Sequence, residues 1–164
     1  MSLDLPKHWR WRSEPWAPAP TVVFDIDGVL SDASGRQPFL EGPGRKDWKG
    51  FFDACDADPL IEEMARLTEL IDPSAVVVLL PGRPLRVQQK TLDWLGRHPV
   101  RWDLLIMRPS GDYTAATEFK RLSAQQLRAR GFDLRLAIED ETRNRDMFRE
   151  EGVPCIFIDS GYYP

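Results

Sequence analysis

The apolar run Val22-Val23-Phe24, continued by Ile26, breaks off into Asp25, Asp27 and Gly28. A short run of this kind, without polar alternation, is how a strand buried on both faces reads, and such strands belong to parallel sheets covered by helices. The pattern returns at Ala75–Leu80, Leu104–Met107, Leu134–Ile138 and Cys155–Ile158. Between these runs the apolar residues recur at helical spacing. Leu60, Ile61, Met64, Leu67 and Ile71 follow a helix-start signal at Asp58-Pro59, and an amphipathic stretch runs from Pro81-Gly82-Arg83-Pro84 to Gly96. Phe119, Leu122 and Leu127 give an inward face to Glu118–Arg130, and residues 142–151 suit a last helix. Strands alternating with helices predict a three-layer, Rossmann-like α/β domain with a five-stranded parallel sheet.

The length of 164 residues suits one domain, and a composition 42% hydrophobic and 29% charged excludes a disordered chain. No apolar run reaches the roughly 20 residues that span a bilayer, and the N-terminus does not read as a signal peptide. A cytoplasmic protein with no membrane partner is therefore expected. The net charge of −4 argues against a broad basic surface for nucleic acid, though not against a pocket that grips one phosphate end. Cys55 and Cys155, the only cysteines, are too few and too far apart for a disulfide scaffold or a zinc site, so both are expected reduced and partly buried.

Two stretches fall outside the alternation. Residues 1–20 form a Trp/Pro-rich arm, with Trp9, Trp11 and Trp16 among Pro15, Pro18 and Pro20, set against a domain over 21–164. Its rings either cover an apolar patch of their own domain or, with Tyr162-Tyr163 from the other end, flank a site and stack a base. Residues 31–57 carry Gly35, Gly42, Gly44 and Gly50 and read as loop or short hairpin.

In open α/β sheets ligands bind at the carboxyl ends of the strands. That rule gathers Asp25, Asp27, Gly82, Arg83, Glu139 and Asp140. Asp25 and Asp27 at one strand end repel each other in a crevice, which calls for a cation or raises one pKa. Mg²⁺, bound by oxygen ligands, meets that need. Asp25 would then attack phosphorus, and Asp27 would protonate the leaving oxygen and later activate water.

Asp25-Ile26-Asp27-Gly28-Val29-Leu30 resembles the first motif of the haloacid dehalogenase superfamily, with Lys120 matching its lysine motif and Glu139-Asp140 its final acidic motif. Within that superfamily the chain is most similar, over about 21–164, to the 3′-phosphatase domain of phage polynucleotide kinase-phosphatase. The likeness is best at Gly35-Arg36, Gly82-Arg83, Gly111-Asp112 and Leu136–Asp140 through Met147-Phe148-Arg149. The resemblance implies a minimal cap, Asp25 as nucleophile and Asp27 as general acid and base. It also implies Asp25, Asp27, Glu139 and Asp140 around Mg²⁺, and Lys120 neutralising charge at Asp25. Arg36, Gly82, Arg83 and Asp112 would face the substrate, with a turn or cap role as the alternative for Asp112.

Two positions depart from the family. Pro81 stands where its second motif has Ser or Thr, and Ala116 where close relatives place an aspartate four residues before the lysine. Losing one hydroxyl donor to a transferring group costs on the order of 10²–10³ in rate. Three readings follow: a Mg²⁺-dependent phosphomonoesterase acting on a 3′-phosphate of a nucleic-acid end or nucleotide, a small-molecule phosphatase of the same superfamily, and a weakened binding or regulatory module. No Gly-x-x-x-x-Gly-Lys-Ser/Thr loop occurs, so kinase activity is not expected, and any kinase or ligase involved would be a separate chain.

Overall fold

The computed structural model describes residues 4–164. In chain order its elements are β1 (Trp9–Trp11), β2 (Pro20–Phe24), α1 (Trp48–Asp53), α2 (Glu62–Leu70), β3 (Val76–Leu79), α3 (Gln88–Arg97), β4 (Leu104–Ile106), α4 (Ala116–Ala129), β5 (Asp133–Glu139), α5 (Thr142–Glu150) and β6 (Cys155–Phe157). The strands form a single sheet in the order β1-β4-β3-β2-β5-β6. Five of them are parallel, as expected, but the sheet has six: β1 pairs antiparallel with β4, Trp9 opposite Ile106 and Trp11 opposite Leu104. The extra strand comes from the arm. Ahead of Pro15, Pro18 and Pro20, Trp9–Trp11 is a three-residue strand that only an unpaired edge of the sheet could recruit.

The period of two along each strand divides the core. Val76, Val78 and Leu80 face one layer and Val77 and Leu79 the other, and Leu104 and Ile106 part from Leu105 and Met107 in the same way. The first layer is closed by Phe119, Ala124 and Leu127 of α4 and by Met147 and Phe148 of α5. The second is closed by Ala65 of α2 and by Trp94 and Leu95 of α3. Each fully buried Val, Leu or Phe contributes about 1.5–3 kcal/mol of transfer free energy, and both faces of the sheet collect it. Cys55 and Cys155 are free and buried, one in each layer.

Trp9 is part of the first layer, packed edge-on to Phe132, with Trp11 and Trp16 against the same cluster. The covering role of the arm is therefore the one the structure has. Leu122, expected to face inward, is half-exposed, because Phe119, Ser123, Ala124 and Leu127 already fill the buried stripe of α4.

Residues 31–57 are not the expected loop or hairpin. They fold as a 3-10 helix (Ala33–Leu40), helix α1 and a short 3-10 turn (Cys55–Ala57). Gly50 hides this helix from a propensity reading, and the structure shows why a glycine is there: a Cβ would come within 2.8 Å of the Phe39 ring. One face of α3 holds the end of this small cap. Lys90 and Trp94 donate to the carbonyls of Asp53 and Asp58, and Arg97 donates to that of Asp56. These three donors are spaced four and three residues apart, as a single helical face requires. Among the described residues no helix is long and apolar enough to cross a membrane.

Candidate active site

The sheet order places β2 between β3 and β5, so connections leave it toward opposite edges and a crevice opens at its carboxyl end. A cavity of about 640 Å³ lies there, with Asp25, Asp27, Gly82, Lys120 and Asn144 in its lining. Asp25 is locked to the sheet, its N–H donating to the Ile138 carbonyl at 3.1 Å. Asp25 Oδ1 in turn accepts from the Ile26 N–H at 2.8 Å.

Asp25 points into an acidic cluster. Oxygens of Asp25, Glu139 and Asp140 all lie within 4.8 Å of one another, and all three residues are buried. Lys120 Nζ stands 3.2 Å from Asp25 Oδ1 and 2.6 Å from Glu139 Oε1. This lysine is 1% exposed, on the buried stripe of α4 with Ala124 and Leu127. Burial disfavours its charge, but Asp25 and Glu139 outweigh burial and raise its pKa. For Asp140, burial and then the Asp25 carboxylate push the carboxyl up to about 8, and the same two causes raise Glu139 well above its ordinary range. Asp140 Oδ2 accepts from Ser160 Oγ at 2.7 Å, while its Oδ1 is buried with no hydrogen-bond partner.

These features fit a divalent cation. Three carboxylates against one ammonium leave a charge of −2, the donors are all hard oxygens, and one buried oxygen is unsatisfied. Gly28 completes the fit: it has φ +80°, and a Cβ there would lie 2.1 Å from Asp140 Oδ2. The sharp turn after the strand and the space for Asp140 thus both need glycine.

The Asp27 carboxylate stands apart from that cluster of side-chain oxygens. Its Oδ1 receives Arg36 Nη2 at 2.6 Å, Arg83 Nη2 at 2.7 Å and Ser31 Oγ at 3.2 Å. Burial would raise its pKa, but the Arg83 and Arg36 guanidiniums hold it well below the usual carboxylate range. Arg36 also binds Asp58 with two nitrogens, at 2.8 and 2.6 Å, and donates to the Phe51 carbonyl at 3.0 Å. Arg83, fully buried, spends Nη1 on Thr91 Oγ1 at 3.0 Å. Both arginines expected to face the substrate are thus occupied in fixing Asp27. Arg36 is itself buried, 3% exposed.

Asp112 is not in the crevice lining and serves a turn, accepting from the Thr114 N–H at 2.9 Å. That turn holds Arg108, whose Nη1 donates to the Thr114 carbonyl at 3.0 Å and whose side chain does line the crevice. Arg108 makes no ion pair among the described residues. Pro81 is buried and lies outside the lining, whereas Gly82 and Ala116 are part of it.

Sequence reasoning missed Arg108, Asp58 and Asn144. Asp58 was assigned to a helix start, and α2 in fact begins at Glu62. Asn144, buried on α5, donates to Glu139 Oε2 at 3.4 Å and accepts from Thr117 Oγ1 at 2.7 Å. Neither role leaves a local signal, because the partners of each residue lie on other elements.

A buried aspartate at the end of the central strand, a buried lysine beside it, a second acidic pair and this sheet order fit a phosphatase of the haloacid dehalogenase class. More narrowly, residues 19–163 match the model of the polynucleotide kinase PNKP phosphatase domain, and the chain belongs to that family. Among solved structures, that of a Pnkp1/Rnl/Hen1 complex aligns with TM-score 0.71 and 24% identity over 90% of this chain and 48% of that one. The chain thus spans about half the length of that relative. A putative phosphatase from Clostridium difficile aligns at TM-score 0.61 and 12% identity, covering 88% of this chain and 87% of the other. CbbY from Rhodobacter sphaeroides, in complex with phosphate, gives 0.56 and 15%, covering 85% of each chain. These likenesses establish the fold.

Proposed function

We propose that the chain is a Mg²⁺-dependent phosphomonoesterase that removes a 3′-phosphate from a nucleic-acid end through an aspartyl-phosphate. The observation that carries this reading is Asp25 on the crevice floor, beside Lys120 and an acidic cluster whose Asp140 Oδ1 has no partner. Membership of the PNKP phosphatase family supports the polynucleotide end as substrate.

Asp25, Glu139 and Asp140 would hold the metal, which when bound neutralises phosphoryl oxygens in the transition state. An oxygen of Asp25 attacks phosphorus as the P–O bond to the 3′ oxygen breaks, and the leaving oxygen takes a proton from Asp27. Water then attacks the phosphorus of the aspartyl-phosphate, gives its proton to Asp27, and inorganic phosphate leaves with Asp25 restored. Lys120 keeps Asp25 ionised for the first attack and offsets charge on the second. Arg108, unpaired in the crevice, and the N–H of Gly82 are the groups free to receive phosphoryl oxygens. Asp27 itself lines the crevice, so the proton it passes to the leaving oxygen is one it takes up from the phosphate monoanion as the substrate enters.

Phosphate release from a 3′-phosphorylated oligonucleotide, with and without Mg²⁺, tests this reading. Metal-dependent release that disappears in Asp25→Asn is the expected result. Release from p-nitrophenyl phosphate alone would replace it with a small-molecule phosphatase. Mg²⁺ binding without any release would favour the binding module suggested by Pro81 and Ala116. This sequence carries no Walker-type phosphate loop.

A further inference from the structure

The floor of the crevice is acidic, but its outer wall is aromatic and basic. Trp48 of α1 lines the crevice with 49% of its surface exposed, whereas Trp94 and Trp102 are buried at 0% and 6%. The indole is held flat. It stacks on Phe52 at 5.9 Å between centroids and 25° between planes, and Phe51 meets its edge at 5.7 Å and 83°. Lys46 Nζ sits 5.9 Å from the Trp48 centroid and also lines the crevice, and neither Lys46 nor Arg45 makes an ion pair among the described residues. Tyr162 and Tyr163 lie in the same lining.

Packing does not account for an indole left half in solvent on the wall of a reaction crevice. A rigid, half-exposed ring beside a cation is, however, what a nucleobase with a trailing phosphate would meet. Base–aromatic stacking is sequence-tolerant, and the cation answers the backbone charge. The platform is also tied to the chemistry. Three residues on from Trp48, the Phe51 ring lies 4.4 Å from the Arg36 guanidinium, and the Phe51 carbonyl accepts from Arg36, the same residue that grips Asp27.

We infer that Trp48 is the surface on which the base of the phosphate-bearing terminal nucleoside stacks, with Lys46 meeting the adjacent backbone phosphate. This assignment rests on the proposed 3′-phosphatase function and moves base recognition from the N-terminal tryptophans, none of which lines the crevice, to the small cap.

The test compares wild type, Trp48→Ala and Trp48→Phe on two 3′-phosphorylated hexanucleotides, one intact and one abasic at its terminal residue. Melting curves accompany the kinetics. Trp48→Ala should raise KM for the intact end by about tenfold or more, as expected for one lost stacking contact, with kcat falling far less. The rise should be several-fold smaller for the abasic end, and Trp48→Phe should recover most of the affinity. Equal KM changes on both substrates, or no change on either, would overturn the platform while leaving the phosphatase reading intact. Failure of the wild type to release phosphate from either hexanucleotide would overturn that reading and the platform with it. Trp48→Phe keeps the test valid if Trp48→Ala melts early: a Phe variant that folds like wild type yet shows the same KM change on the intact and abasic ends would overturn the platform.

Discussion

Asp25 and Asp27 leave the same strand end two residues apart, yet one enters a cluster short of positive charge and the other a cluster that is neutral. Around Asp25, three carboxylates face one ammonium, and Asp140 keeps an unpaired buried oxygen. Around Asp27, two carboxylates meet two guanidiniums, with Asp58 bound to Arg36 by two nitrogens and the remaining donors taken by Phe51 and Thr91. The first arrangement carries an unmet electrostatic demand and suits ligand capture. The second is self-sufficient and suits holding a side chain in place. Because side chains alternate along an extended chain, two acids at positions i and i+2 start on the same side, and only their distant partners distinguish them.

The largest test of this contrast is catalytic. Asp25→Asn should lower phosphate release by roughly 10⁴-fold or more, the scale of losing a nucleophile, with the melting temperature held or raised because one repelling charge has gone. A folded variant with wild-type turnover would remove Asp25 from the nucleophile role. Next comes Asp58→Asn in the neutral cluster, where the sign on stability reverses. Breaking one side of a buried pair should cost about 3 kcal/mol, or roughly 6–12 °C in melting temperature, measured by thermal unfolding. Turnover should fall on the order of 10²-fold, because Arg36 no longer fixes Asp27. If Asp58→Asn were instead neutral in both assays, the cluster would not be the support for Asp27 described above.

The two clusters were unequally legible in the sequence. Asp25, Asp27, Glu139 and Asp140 stand at the ends of apolar runs, so periodicity alone brought them to one edge of the sheet. Lys120 entered only through resemblance, since a lysine on an amphipathic helix ordinarily faces water and this one is buried. Asp58 was out of reach. Its partner is 22 residues earlier, and Asp-Pro before an apolar helical stretch carries the local meaning of a helix start. The parallel core of the fold was legible for the same reason as the acids, and β1 and α1 were not. β1 is a strand only because β4 offers it an edge, and α1 depends on tertiary contacts from Phe39 and α3 that outweigh its glycine.

Asp140→Asn isolates the unmet charge and carries the smallest expected effect. In EDTA the native state favours the protonated Asp140 carboxyl up to about pH 8, while the unfolded chain releases that proton near its ordinary value of 3.8. The native state therefore binds more protons between these limits, and the wild type should lose stability as pH rises from about 4 through about 8. Asparagine cannot ionise and still offers an acceptor to Ser160. The variant should thus lack this part of the slope, matching wild type below about pH 4 and exceeding it at pH 9 by on the order of 1–3 kcal/mol, a few degrees in melting temperature. Adding Mg²⁺ should stabilise the wild type and flatten its slope, since bound metal favours the ionised cluster, and should do much less for the variant. Equal Mg²⁺ shifts in both proteins would show that Asp140 does not hold the ion, and the contrast between the two clusters would then reduce to one of packing.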